Sequence, residues 1–276
     1  MALVTHDLKP RIGTAIETDR EALLRGDYAD AINACLEMRG VLLFRGLDFD
    51  DAEQVAFTRT LGAVLHDGRE PVFKVTLNQD EITDPGGAHV ASYLKTTFFW
   101  HIDSIDQDYL VRASLLRPCR LPAGGGGQTE YCNTYAAYED LPEADKDAIE
   151  NLRVVHSLEN AQRMVTPEPT YEELLRWQQV RKVHPLVWRH RSGRKSLVLG
   201  MTASHIEGMD LDEGRALLCR LREWATQPPY VYSHEWQLGD LLVWDNTGTM
   251  HRVRPYDPNG GRMMHRTKLA GVEPLH

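Results

Sequence analysis

Apolar residues recur at mixed three- and four-residue spacing through 20–38, REALLRGDYADAINACLEM, which predicts a helix that closes near Gly40. The pattern then changes to a continuous apolar and β-prone run, VLLFRGL at 41–47, bounded by glycines and read as a buried strand. Helical spacing returns at 50–61, DDAEQVAFTRTL, where acidic residues suit a helix N-terminus and Gly62 a stop. From about 66 to 97 the periodicity is lost, and NQDEITDPGGAH gathers Asp, Gly, Pro and Asn, so a long loop of the lid kind is expected there. Strand-like composition resumes in FFWHID (98–103) and YLVRASLLR (109–117), before the glycine-rich turn LPAGGGGQT. Further helices are expected at 134–152, 169–182 and 210–226, and strands at 184–189, 196–200, 230–236, 241–244 and 263–270. Many short strands, a few helices and no regular βαβ alternation indicate a mainly β fold with helices. The expected form is a jelly-roll core in a single domain over 1–276, with a helical insertion at about 134–182.

Composition narrows the partners. A net charge of −9 argues against nucleic acid and anionic membranes, whose binders draw affinity from basic surfaces. The N-terminus lacks a basic-then-apolar signal, and no uncharged apolar run approaches the roughly 18 residues of a membrane span, so a cytoplasmic location is expected. Cys35, Cys119, Cys132 and Cys219 are scattered without a CxxC pair and read as reduced thiols. A homo-oligomer is left open. Any bound anion must be held by a local cluster of donors.

The candidate chemistry sits in WHID. On a strand, His101 and Asp103 would project from one face toward a common point. His251, after the apolar strand and turn of GDLLVWDNTGTMH, can supply a third ligand from elsewhere in the fold. Two histidines and a carboxylate on one side of an ion leave the opposite positions open, as in iron(II) oxygenases. The same ligands also suit zinc, so a zinc hydrolase and a non-catalytic barrel stand as alternatives. In GGRMMHRTKLAG, Arg262 and Arg266 lie four residues apart in a segment with core residues Met263, Met264 and Leu269. A buried arginine needs an anion, and its planar fork matches a carboxylate. GGGGQT lacks the Lys-Ser/Thr ending of a phosphate loop, whereas Thr129, its last residue, can donate a hydroxyl to an anion. The tryptophans Trp100, Trp188, Trp236 and Trp244 read as packing residues, with Trp100 the one adjoining the site.

WHID, GGGQTEYCNTYAAYEDLP, HPLVWRHRSGRKSLVLG, ASHIEGM, GDLLVWDNTGTMHRVRPYD and GRMMHR together resemble, in collinear order over about 35–270, the blocks of the taurine dioxygenase family. Within it they are more similar to the 2,4-dichlorophenoxyacetate dioxygenase branch. The resemblance implies a double-stranded β-helix, Fe(II), O2 and 2-oxoglutarate as co-substrate. It also implies His101, Asp103 and His251 as metal ligands, Thr129 and Arg262 on the far carboxylate of 2-oxoglutarate, and Arg266 facing the anionic group of the prime substrate. Asp103 at the carboxylate position implies hydroxylation in place of halogenation. The implied substrate is a small anionic organic molecule, an aryloxyalkanoate-like carboxylate by preference, with sulfonates, alkyl sulfates and amino-acid derivatives as alternatives. The stretch from about 66 to 98 shows no match to the family, and within it Lys95 and Thr97 are candidates to line the substrate pocket.

Overall fold

Alternate residues of one strand, Leu241–Asp245, divide the core. Leu241 and Val243 pack with Leu23, Ile32, Leu36, Phe57 and Leu61 of three helices, Arg20–Arg25, Ala29–Arg39 and Asp51–Leu61. Leu242 and Trp244 point the other way, onto Tyr131 and Tyr232 of a second sheet. This is the two-residue period of a strand buried on both faces. The computed structural model describes residues 3–66, 70–81 and 94–275.

The larger sheet has seven strands, in the order Val4–Asp7, Thr14–Glu17, Val41–Phe44, Leu241–Asp245, Ala113–Arg120, Met263–Leu269 and Phe73–Val75. Its neighbours are antiparallel except for the parallel pair Thr14–Glu17 with Val41–Phe44. The facing sheet has Thr129–Asn133 at its centre, between Val231–His234 and Thr249–Val253. A further apolar cluster forms under the helix Leu211–Ala225, where Leu218 and Leu221 meet Leu186, Trp188 and Val198. No helix among the described residues is long and apolar enough to cross a membrane.

Several expected elements are reshaped by local chemistry. The helix expected at 20–38 is two helices, divided at Gly26, which takes the left-handed conformation (φ +79°) that caps the first. The helix expected at 134–152 divides into Thr134–Glu139 and Glu143–Ile149 around Leu141 and Pro142, because proline donates no backbone hydrogen bond and disfavours helix in the residue before it. The helix Tyr171–Gln178 starts with a capping box between Thr170 and Glu173, but its chain then becomes the strand Arg181–Pro185. Region 134–182 is therefore not purely helical, since Arg153–Ser157 pairs with Arg181–Pro185 and Ala203–Ile206.

FFWHID is not a strand. Thr96–Phe98 is a 3-10 turn, and only His101 makes a bridge, to His251. The loop expected at 66–97 lies partly outside the described residues, at 67–69 and 82–93. Within it, Phe73–Val75 is an edge strand on Met263–Leu269, so that stretch is not structureless.

Candidate functional site

His101 and His251 meet through their backbones. His101 N donates to His251 O at 3.0 Å and His251 N to His101 O at 2.9 Å, which sets the two imidazoles 4.1 Å apart between centroids. Pairing between two distant segments thus joins the two histidines, whereas the same-strand alternation expected to join His101 with Asp103 is absent. Asp103 arrives from the turn that follows, and its backbone is clamped by one side chain: Asn246 Oδ1 accepts from Asp103 N (2.9 Å) and Asn246 Nδ2 donates to Asp103 O (3.0 Å). Asn246 also donates to Val111 O at 2.9 Å and is fully buried. Gly200 has a positive φ of +113° and lies so near that a Cβ there would stand 3.2 Å from the His101 Cα, so the chain behind the histidine needs glycine.

One potential ligand atom from each of His101, Asp103 and His251 lies within 4.8 Å of the others. His101 Nδ1 and Phe99 O are 2.8 Å apart, which fixes Nδ1–H as the donor and leaves Nε2 as a lone pair. His251 Nε2 faces Asp103 Oδ2 at 3.8 Å. Burial pushes both histidines below the ordinary imidazole range. Burial alone would raise Asp103, but Arg266 first, then His251 and His101, outweigh it and hold the carboxyl well below the usual carboxylate range. Two neutral imidazoles and an ionised carboxylate are the protonation states that a divalent cation requires. The donor set thus fits a metal of the iron(II) or zinc type, with one face open.

Thr129, Arg262, Arg266 and Thr97 line a cavity that reaches His101 and His251. Arg262 is 4% exposed, and its contacts are a long 3.4 Å bond to Gly127 O and the Tyr256 ring at 4.9 Å. Its Nε is buried without a hydrogen-bond partner, and among the described residues no carboxylate pairs with it. The glycine-rich turn matters here for space: a Cβ on Gly127 would come within 3.0 Å of Arg262 Cδ and Nε. Arg266 donates to Asp103 Oδ2 at 3.1 Å and lies over Phe73, while its Nε is buried and unpartnered.

Of the two pocket candidates from the unmatched stretch, Thr97 lines this cavity, with its hydroxyl donating to Leu94 O at 2.6 Å. Lys95 does not: it is exposed and outside the lining. Leu94 and Thr97 are three residues apart on one face of a turn, which sends Lys95 to the other. Trp244, not Trp100, lines the cavity.

A second cavity opens beside Asp103 and His101, lined by Ile105, His156, Leu158 and Met201. His156 Nδ1 is 2.9 Å from Thr202 Oγ1, and its buried Nε2 has no partner. Burial, with His184 nearby, pushes His156 down to about 3, so the ring is neutral. Asn246 and His156 were not singled out from the sequence. An asparagine after Trp-Asp carries no sign of which backbone it will clamp, and a histidine inside an apolar strand looks like any core histidine.

Asn246→Ala is expected to weaken divalent-metal binding about 10- to 100-fold, the usual cost of losing a group that orients a ligand. A Mn(II) titration of the folded variant measures this, and wild-type affinity would show that the clamp does not position Asp103.

Residues 5–268 match the family described as taurine catabolism dioxygenase TauD, TfdA family. The chain is 36% identical over 264 residues to the alpha-ketoglutarate-dependent 2,4-dichlorophenoxyacetate dioxygenase of Burkholderia sp. (strain RASC), covering 91% of this chain and 88% of that protein. It is 30% identical to the alpha-ketoglutarate-dependent sulfate ester dioxygenase of Pseudomonas putida, over 100% of this chain and 92% of the relative. Among solved structures, AAD-2 in complex with Mn(II) and N-oxalylglycine superposes with a TM-score of 0.86 at 33% identity, covering 100% of this chain and 99% of the other.

Proposed function

The chain belongs to the TauD, TfdA family of dioxygenases, and on that premise we propose that its buried site hydroxylates a small anionic organic molecule at the expense of 2-oxoglutarate and O2. One observation carries the assignment of roles. Arg262, a buried guanidinium with no carboxylate of its own among the described residues, shares a cavity with the neutral His101 and His251, whose ring nitrogens converge with the ionised Asp103. In that reading His101, Asp103 and His251 hold Fe(II), while Thr129 and Arg262 receive the far carboxylate of 2-oxoglutarate. N-oxalylglycine, present with Mn(II) in the AAD-2 structure, is an isostere of 2-oxoglutarate, which supports the same pairing here. A zinc hydrolase would leave Arg262 without a purpose.

Iron(II) held by His101, Asp103 and His251 would, with 2-oxoglutarate, let O2 act as the oxidant, taking two electrons from the decarboxylation of 2-oxoglutarate to succinate and CO2 and two from a substrate C–H bond, which would become C–OH. The chain's own residues set position. Asp103 occupies with a carboxylate the place a halide would need, consistent with hydroxylation. Arg266 spends one Nη on Asp103 and keeps its Nε for an incoming anion, so the charged end of the prime substrate is tied to the ligand set. The body of the substrate is assigned to the largely apolar cavity beside Asp103, where the neutral His156 offers its Nε2 as a polar contact. An aryloxyalkanoate offers a carboxylate for Arg266 and an apolar ring for that cavity. We read the two facing sheets as a double-stranded β-helix and the chain as one domain. Four unpaired cysteines support a cytoplasmic location.

A panel of aryloxyalkanoates, sulfonates, alkyl sulfates and N-acyl amino acids, assayed for succinate together with the oxidised product, tests the substrate class. Stoichiometric product from an aryloxyalkanoate is expected. Coupling confined to a sulfur ester or an amino-acid derivative would overturn the preference for carboxylates.

A further inference from the structure

Thr129 is the less conspicuous half of the pair assigned to the far carboxylate of 2-oxoglutarate, and its usefulness depends on one hydrogen atom. A threonine hydroxyl has one donor and two acceptor lone pairs, whereas an indole N–H only donates. Trp236 Nε1 lies 3.0 Å from Thr129 Oγ1 and donates to it. One lone pair is thereby occupied, and the threonine proton is directed away from the indole. Around it lie the Tyr131 hydroxyl, buried without a well-formed hydrogen bond, and the Arg262 guanidinium. Between a neutral phenol and a carboxylate drawn in by Arg262, the charged acceptor makes the stronger bond.

The indole is itself held from behind. His234 meets it edge-to-face with centroids 4.5 Å apart and planes at 88°. The His234 ring is fixed at both nitrogens, by Tyr232 Oη at 2.9 Å and Asp240 Oδ2 at 3.1 Å. Asp240 in turn accepts from Arg45 at 2.7 Å and from Gln237 N at 2.9 Å. His234 is also the register partner of Thr129 across the two strands, so backbone pairing and the side-chain stack locate the same hydroxyl.

We propose that Trp236 is a positioning residue for the co-substrate: by donating to Thr129 it presents the threonine hydroxyl as a hydrogen-bond donor to the distal carboxylate of 2-oxoglutarate. The proposal rests on the assignment of Thr129 and Arg262 to that carboxylate. It makes no demand on the identity of the prime substrate.

The test is a double-mutant cycle read by calorimetric binding of 2-oxoglutarate to the Mn(II)-loaded protein. Trp236→Phe, which keeps an aromatic ring and removes the donor, is expected to weaken binding about 3- to 10-fold, the range of one neutral hydrogen bond. In a Thr129→Ala background the same change is expected to alter binding less than about 2-fold, because the two residues act through one contact. Additive losses would reduce Trp236 to a packing role and overturn the proposal, as would unchanged binding in Trp236→Phe. If Trp236→Phe fails to fold by circular dichroism, Trp236→Leu, which also removes the donor, takes its place in the cycle with the same expectations: weakened binding beside Thr129, little further change in Thr129→Ala, and additive losses or unchanged binding overturning the proposal. Failure of the wild-type protein to bind 2-oxoglutarate would instead remove the assignment beneath it.

Discussion

His251→Ala is expected to abolish coupled turnover and to weaken divalent-metal binding by more than about 100-fold, beyond the 10- to 100-fold typical of losing an outer partner of a ligand. The fold around the deleted ring should persist, because the bridge to His101 uses only main-chain atoms. Asp103 also keeps its place, since its clamp comes from Asn246 and its ion pair from Arg266. What disappears is one of three converging donors, and with it the arrangement that gathers them within 4.8 Å. Calorimetric titration with Mn(II) distinguishes this from a general loss of structure. Near-normal affinity in folded His251→Ala would place the metal elsewhere.

Arg262→Met is expected to move stability and binding in opposite directions. The wild-type guanidinium is buried with its Nε unsatisfied, over the Tyr256 ring and at long range from the Gly127 carbonyl, and among the described residues no carboxylate pairs with it. Replacing even a buried ion pair with well-packed apolar side chains is often neutral or stabilising by about 1–4 kcal/mol, and a guanidinium with no carboxylate beside it has less attraction to lose. The lost contact with the Tyr256 ring offsets up to about 2 kcal/mol of that. Without co-substrate the variant should therefore melt at or above the wild-type temperature. Its affinity for 2-oxoglutarate should fall by more than about 30-fold, since truncating one partner of a buried, hydrogen-bonded charge pair costs about 2–5 kcal/mol. Excess 2-oxoglutarate should then raise the melting temperature of the wild type and not of the variant. A variant that is less stable yet binds normally would mean that Arg262 serves the fold.

The residues with unusual chemistry were legible from the chain, and the geometry that unites them was not. His101, Asp103 and His251 stand out as HxD and a later histidine after an apolar strand, and Arg262 and Arg266 as cations in an apolar segment. The reason offered for His101 and Asp103 acting together, alternation on one strand, fails, because 98–103 contains a 3-10 turn and a single bridge. Composition could not reveal this, since FFWHI is as apolar as a strand and the deciding bonds come from residues 246 and 251, far along the chain.

The same limit hid the strands that carry the site. Thr129–Asn133 and Thr249–Val253 have mixed polar sequences, TEYCN and TMHRV, whose buried positions are chosen by the opposing sheet. Helix breaks at Gly26 and Pro142 were readable in principle, as both residues interrupt helices for local steric reasons. Trp236 illustrates the remaining gap. Its packing role was visible in a strand-like run, whereas its bond to Thr129 depends on the pairing of two strands about a hundred residues apart in sequence, a register that no local pattern encodes.

Anaerobic addition of 2-oxoglutarate to the Fe(II)-loaded protein tests the central claim most directly. A weak visible charge-transfer band, saturating with one equivalent of 2-oxoglutarate and absent from His251→Ala, is the predicted result. Folded, iron-loaded wild-type protein that develops no such band would contradict the account.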